Sequence, residues 1–258
     1  MNKISVVNDE LKTSLDQINV SYTKANNVFD IAYLDITPLN DTNLFLELDL
    51  DNNKLAININ TDYNLNLVIY HKGKQAKVRY TYHINGTLNV LKYNNIDTIN
   101  EMVELNLEQE SANANYILKS IGTSKESYDY VINHNHGNTI SHITNNCVNK
   151  EGIINIQTSG YIPKNINKCI CNQNNRIINL TNNKCEIKPN LYIDSNDVDA
   201  NHSALIGKFS AEEMFYLASR GISDVDANNL LIKGFLLNNI NDDTLIELIT
   251  NDIDKYWR

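Results

Sequence analysis

The chain has 258 residues, with 31 acidic and 22 basic side chains and a formal net charge of -9. That balance argues against nucleic acid or an anionic membrane as the main partner, because both require basic patches. The first residues lack the apolar core of a signal peptide, and no run approaches the ~18 apolar residues of a membrane span. Four cysteines, at 147, 169, 171 and 185, are too few for a secreted disulfide scaffold of this size. These features together predict a cytoplasmic, reduced protein. Only nine Gly and three Pro are present. Asn, Ile and Lys are abundant, which we read as a base-composition effect. Asn tolerates the left-handed backbone of turns and can replace some of the missing Gly.

Residues 1–30 are weakly patterned. The spacing of Leu11, Leu15 and Ile18 predicts a short helix, followed by a linker over Tyr22–Asp30. From about 31 to 204 the reading is strand after strand. Leu44, Leu46, Leu48 and Leu50 alternate with Phe45, Glu47 and Asp49. The same period of two recurs at Leu55–Ile59, Leu65–Ile69, Val78–Ile84, Leu88–Val90, Val103–Leu107, Tyr128–Ile132, Ile154–Ile156 and Ile178–Leu180. One face of each strand is therefore buried and the other wet. No helical stretch intervenes, which argues against βαβ units. A sandwich and a β-solenoid both fit this pattern. Asn85-Gly86 is the only hairpin-type pair, which leans weakly toward a solenoid.

After residue 205 the period changes to that of helices. Ser210 with Glu213 is a capping box, and Met214, Phe215, Leu217 and Ala218 form the apolar side of the first helix. Ser223 caps a second helix, with Leu230, Leu231, Phe235 and Leu236 as its stripe. Asn241 opens a third, carrying Leu245, Ile246, Leu248, Ile249, Ile253 and Trp257. Three such helices cannot bury a core alone, so this 205–258 domain is expected to pack on the β-domain or on a partner.

Between the two patterns lies the most specific stretch: Pro189-Asn-Leu-Tyr-Ile193, then Asn196-Asp-Val198, His202, and Phe215-Tyr-Leu-Ala-Ser-Arg-Gly-Ile222. It resembles the SufB/SufD family of iron–sulfur cluster assembly scaffolds. The resemblance implies a right-handed parallel β-helix core with a small C-terminal helical domain. It also implies a non-catalytic scaffold subunit, SufD-like, that binds a SufB-type partner or a second copy through the end of the β-helix. A SufC-type ABC ATPase would dock on the helical domain at Phe215, Tyr216, Arg220 and Gly221, with Phe215 in the core. No cofactor would be held tightly by the isolated subunit; iron or a nascent cluster would be transient.

Individual residues bear different weight. His202, in what reads as an acidic turn, is the candidate for iron or cluster binding, since imidazole is a good iron ligand. The family's histidine matches, but Ala200 stands in place of a cysteine. His134 and His136, if extended, point the same way, a spacing compatible with metal. A polar outer face or coil corner is the commoner explanation of such a pair, and the resemblance covers His134, Thr139 and Ser141 but not His136. Cys169 and Cys171 invite a cluster-ligand reading, yet at period two both fit a solenoid core as small apolar side chains. The cysteine that SufB-type members use falls at Asn175, which cannot act as a thiolate. That departure favours the SufD-like reading over a stand-alone SufB-like homodimer. A solenoid carbohydrate-active enzyme is the rival from another class; it needs paired carboxylates along one groove, and the acidic residues do not cluster so. No nucleotide-binding or triad motif is present.

Overall fold

The computed structural model describes residues 2–7, 9–27 and 29–257. Strands occupy 61% of the chain and wind into a parallel β-solenoid of about seven turns, followed by three helices. The first strands are β1 (Asn2–Val7), β2 (Glu10–Ser14), β3 (Ile18–Thr23) and β4 (Ala32–Pro38). Three long strands follow: β5 (Thr42–Thr61), β6 (Asn64–Ile84) and β7 (Thr87–Leu107). Shorter ones complete the coils: β8 (Asn113–Gly122), β9 (Lys125–His134), β10 (Ile140–Asn149), β11 (Ile153–Ile162), β12 (Cys169–Asn179), β13 (Glu186–Ile193) and β14 (Val198–Gly207).

Two walls result. The first halves of β5, β6 and β7 stack with β1, β8, β10, β12 and β14; the second halves stack with β4, β9, β11 and β13. A long strand must therefore turn a corner in its middle. In β5 the register shifts between Leu50, Asp51 and Asn53. In β6 the corner is Gly73, at φ +132°; a Cβ there would lie 1.8 Å from the Leu50 carbonyl oxygen, so only glycine fits.

Alternation decides what lies inside. Leu44, Leu46 and Leu48 face Leu55, Ile57 and Ile59 across the interior, and all are buried. Asn residues stack from coil to coil: Asn66 donates to Asn43 and Asn89 to Asn66, each 23 residues apart. By Asn145 to Asn175 the separation has grown to 30. This drift explains why no fixed repeat shows in the sequence. The ladders also give the abundant Asn a structural use beyond turns.

The N-terminal end closes itself. β2 runs antiparallel to β1, and β3 antiparallel to β4. The helix expected at Leu11, Leu15 and Ile18 is therefore replaced by strands. Three apolar residues at helical spacing were too few to outweigh the unpaired edge of β1. Leu11 and Leu15 pack partly against the core, and Ile18 is buried in it. The expected Tyr22–Asp30 linker loses Tyr22 and Thr23 to β3, and Val28 lies outside the described residues.

The helices are α1 (Ala211–Ser219), α2 (Asp224–Leu237) and α3 (Asp243–Tyr256). Ser210 and Glu213 form the capping box, and Ser223 and Asp242 cap the next two. The apolar faces of α2 and α3 cover the outside of the first wall. Ile232, Leu236, Leu245, Ile249 and Ile253 join Phe45, Tyr70, Tyr93, Ile121, Val148 and Ile178 in one buried cluster. At its edge Tyr93 and Asn95 donate to Asp252 at 2.9 and 2.7 Å. The α2 stripe is rotated from the expected one: Ala227, Ile232 and Leu236 are buried, while Leu230 is exposed. Docking onto a flat sheet selects a narrower face than apolar content alone indicates.

Candidate functional site

The C-terminal end of the solenoid is built unlike its N-terminal end. β14 pairs with β12 on one side only, and β13 pairs only with β11. Ten residues of β14 leave an unpaired row of backbone donors and acceptors, with no Pro or Lys to blunt it. Tyr192 is 52% exposed and Leu205 54%, and Ile206 is exposed beside them.

His202 lies in β14, not in a turn; the turn precedes it, between Ile193 and Val198. The extended pairing with β12 carries the strand through the acidic segment. His202 pairs with Gln173, which continues the row Leu44, Leu67, Val90, Tyr116 and Ile143. His202 therefore stands on the interior-facing row of the last coil, at its mouth, and is exposed because no coil follows. Asp199 is on the opposite row and accepts from Asn201 at 2.7 Å.

Beneath His202 the interior changes from apolar to polar. Thr158 donates to Gln173 at 2.8 Å, and Gln173 to the Asn190 carbonyl at 3.1 Å. Asn145 donates to Asn175 at 2.8 Å, and Asn175 donates to Thr158 and to the Ser203 carbonyl, each at 3.3 Å. Asn175 is thus fully committed to neutral hydrogen bonds.

His134 is buried between Thr139, 2.7 Å from Nδ1, and Ser141, 2.9 Å from Nε2. Burial pushes its pKa down to about 4, so the ring is neutral and both nitrogens are occupied. His136 has left the strand for an exposed turn, so the two histidines do not share a face. The three residues after His134 form the coil corner, where alternation no longer holds. Cys169 and Cys171 are buried with Ile162, Leu191 and Val198. Burial raises the Cys171 thiol above its ordinary value. No group of three or more His, Cys, Asp or Glu among the described residues is arranged to hold a metal ion. The open end offers one free imidazole over a floor of amides and hydroxyls. A cluster, which needs thiolate or several imidazole ligands, fits this end only as cargo shared with further ligands.

A second surface lies on α1, which has no buried residue. Phe215 is 75% and Tyr216 57% exposed, and the Arg220 guanidinium lies 5.2 Å over the Tyr216 ring. Phe215 is therefore not a core residue. The cluster takes its helical contacts from α2 and α3 and leaves α1 outside. Gly221 ends the helix at φ +78°.

One buried group escaped the sequence reading. Lys92 and Glu101 pair inside the solenoid, with Tyr80 bonded to His71 at 2.5 Å and Lys92 4.2 Å over the Tyr80 ring. Burial lowers the Lys92 pKa to about 8. Next to it Glu126 accepts from Ser120 and Tyr128, and burial raises its pKa to about 7. The signal was present: Lys92 follows Leu88 and Val90, and Glu101 precedes Val103 and Leu105, on inward-facing positions.

The fold is thus a parallel β-solenoid with one end covered by antiparallel strands, one end left unpaired, and helices packed over one wall. The family profile described as SUF system FeS cluster assembly, SufBD core domain matches residues 74–235, and the chain belongs to that family. It is 34% identical over 84 residues to the iron–sulfur cluster assembly protein SufD of Bacillus subtilis, covering 32% of this chain and 19% of that one. It is 42% identical over 50 residues to SufD of Escherichia coli, 19% and 12% of the two chains. A SufBD family protein of Synechocystis is 48% identical over 48 residues, 19% and 11%. The matched segments thus span less than a fifth of each of these relatives' length. No helix among the described residues is long and apolar enough to cross a membrane.

Proposed function

We propose that this chain is a SufD-like scaffold subunit of a cytoplasmic iron–sulfur cluster assembly complex, without turnover of its own. It pairs through β13 and β14 with a SufB-type subunit, and binds a SufC-type ATPase through the exposed face of α1. Iron or a nascent cluster is cargo at the joined ends, with His202 as this chain's ligand. The observation that carries this reading is the unpaired β14 edge with His202 at its mouth. Asn175 supports the SufD-like reading over the SufB-like one. It is buried and bonded to the Asn145 amide, the Thr158 hydroxyl and the Ser203 carbonyl at the position where the resemblance places a cluster-building cysteine, so on this reading the thiolates come from the partner.

The test is anaerobic co-purification with both partners, for wild type and His202→Ala. The variant removes an exposed side chain, so folding and assembly are expected to be unchanged. Iron and sulfide per complex are expected to fall. Equal iron and sulfide in the two complexes would reduce His202 to an edge residue. A cluster-bearing dimer formed by this chain alone would instead establish the SufB-like alternative.

A further inference from the structure

On the corner between the two walls, far in sequence from the open end, lies a cleft of about 410 Å³. It is lined by Asn52, Lys54, Gln75, Lys77, Asn100 and Lys125, with the strand segments at Ala76 and Ile99 in its floor. Three lysines and no acidic residue line it, in a protein of net charge -9.

The solenoid elsewhere answers a cation in one coil with an anion in the next. Lys72 meets Glu47 at 2.9 Å, Lys74 meets Asp51 at 3.6 Å, and Arg79 meets Glu104 at 3.2 Å. Lys54 and Lys77 break that rule. They are direct partners in the β5–β6 ladder, on the same outward row. Like charges placed so repel each other. Lys54 is held in position by the Phe29 carbonyl, which accepts from Nζ at 3.1 Å. Lys77 and Lys125 make no ion pair or hydrogen bond among the described residues. The side-chain amides of Asn52, Gln75 and Asn100 are equally free. The cleft is also fixed in shape. Part of its wall is Asn52 and Asn53 of the β5 bulge, with Asn52 at φ +60°.

We propose that this cleft binds a small multivalent oxyanion, a polyphosphate or a polycarboxylate. The three lysines supply the charge, and the amides supply directional donors to the oxygens. The volume lies within the range of small-ligand sites. The site is independent of the scaffold reading and of the open end.

The experiment is calorimetric titration of the full chain in low-salt buffer, where surface charge is least screened. The probes are pyrophosphate and citrate, with sodium chloride at matched ionic strength as the control. Binding of pyrophosphate is expected, weakened at least about fivefold by Lys77→Gln and by Lys125→Gln. Lys164→Gln, outside the cleft, is expected to bind as wild type. Binding of pyrophosphate alone assigns a phosphate site; binding of both assigns a site read by charge and size; binding of citrate alone assigns carboxylates. A melting temperature of Lys77→Gln at or above wild type, without ligand, is expected from the relieved Lys54 repulsion. Heats equal to the sodium chloride control for both probes, or undiminished binding by Lys77→Gln and Lys125→Gln together, would overturn the proposal.

Discussion

Glu126 and His134 are both buried, and burial favours the neutral form of each, yet they pull stability in opposite directions with pH. Glu126 has a folded pKa of about 7, raised by burial from the ordinary 4.5. Its contribution is fully present below pH 4.5 and is lost as pH rises to 7, at most about 3 kcal/mol. Glu126→Gln keeps an acceptor for Ser120 and Tyr128 and cannot ionise. It is expected to stabilise the protein by about 2 kcal/mol at pH 8 and to change little at pH 4, read from urea melts at both. His134 is the reverse case. Its pKa falls from 6.5 to about 4, so its contribution is present above pH 6.5 and lost as pH falls toward 4. His134→Gln is expected to flatten the acid side of the stability profile between those values; an unchanged slope there would show that burial does not hold the ring neutral. The cysteines of β12 act as small core residues. Cys169→Ala with Cys171→Ala is expected to cost about 1–2 kcal/mol and to leave cluster assembly intact. Loss of assembly in the folded double variant would give these thiols a chemical role.

At the scale of elements, the helices divide into two that pack and one that does not. α2 and α3 bury Ile232, Leu236, Leu245, Ile249 and Ile253 on the sheet. Removing them would expose Phe45, Tyr70, Tyr93 and Val148 together, an apolar patch that invites aggregation. A chain cut near Asp199 would in addition lose most of β14. Deletion is therefore a poor probe of what the helices bind. α1 can be probed without that damage, because Phe215 and Tyr216 already lie in solvent. Phe215→Ala with Tyr216→Ala is expected to change stability by less than ~0.5 kcal/mol. It is also expected to abolish co-purification of the ATPase. Retention of the ATPase at wild-type yield would move its binding surface elsewhere.

Across the whole molecule, the two ends differ because the chain treats its edges differently. The N-terminal end is closed by antiparallel β2 and β3, and β2 is only five residues long and carries Lys12. The C-terminal end keeps a ten-residue edge. An edge of this kind templates the pairing of another chain. Leu205→Lys places a charge on the exposed face of that edge without touching the core. It is expected to leave the melting temperature unchanged and to weaken association with the SufB-type partner at least tenfold, measured by gel filtration of the mixed subunits. Undiminished association would exclude β14 as the joining strand.

The residues alone determined the strands, their inward faces and the helix caps. Period two at Leu44–Leu50 and Val78–Ile84, and Ser210 with Glu213, are local signals, set by which side chains can be buried or can bond a neighbouring backbone. They also marked the segment from Pro189 to Ile222 that carries the family resemblance. Other features were decided only by tertiary contact. Leu11 and Ile18 went into strands, with Leu15 in the connection between them, because β1 and β4 presented unpaired edges. Phe215 stayed in solvent because the outer face of the first wall was already covered by α2 and α3. Lys54 and Lys77 came together because the 23-residue coil places them in register across two strands. His202 came to the mouth of the interior because β14 continues the parity of Gln173 and no further coil covers it. Such placements depend on how many residues each coil spends at its corners, and a corner's length has no local signature.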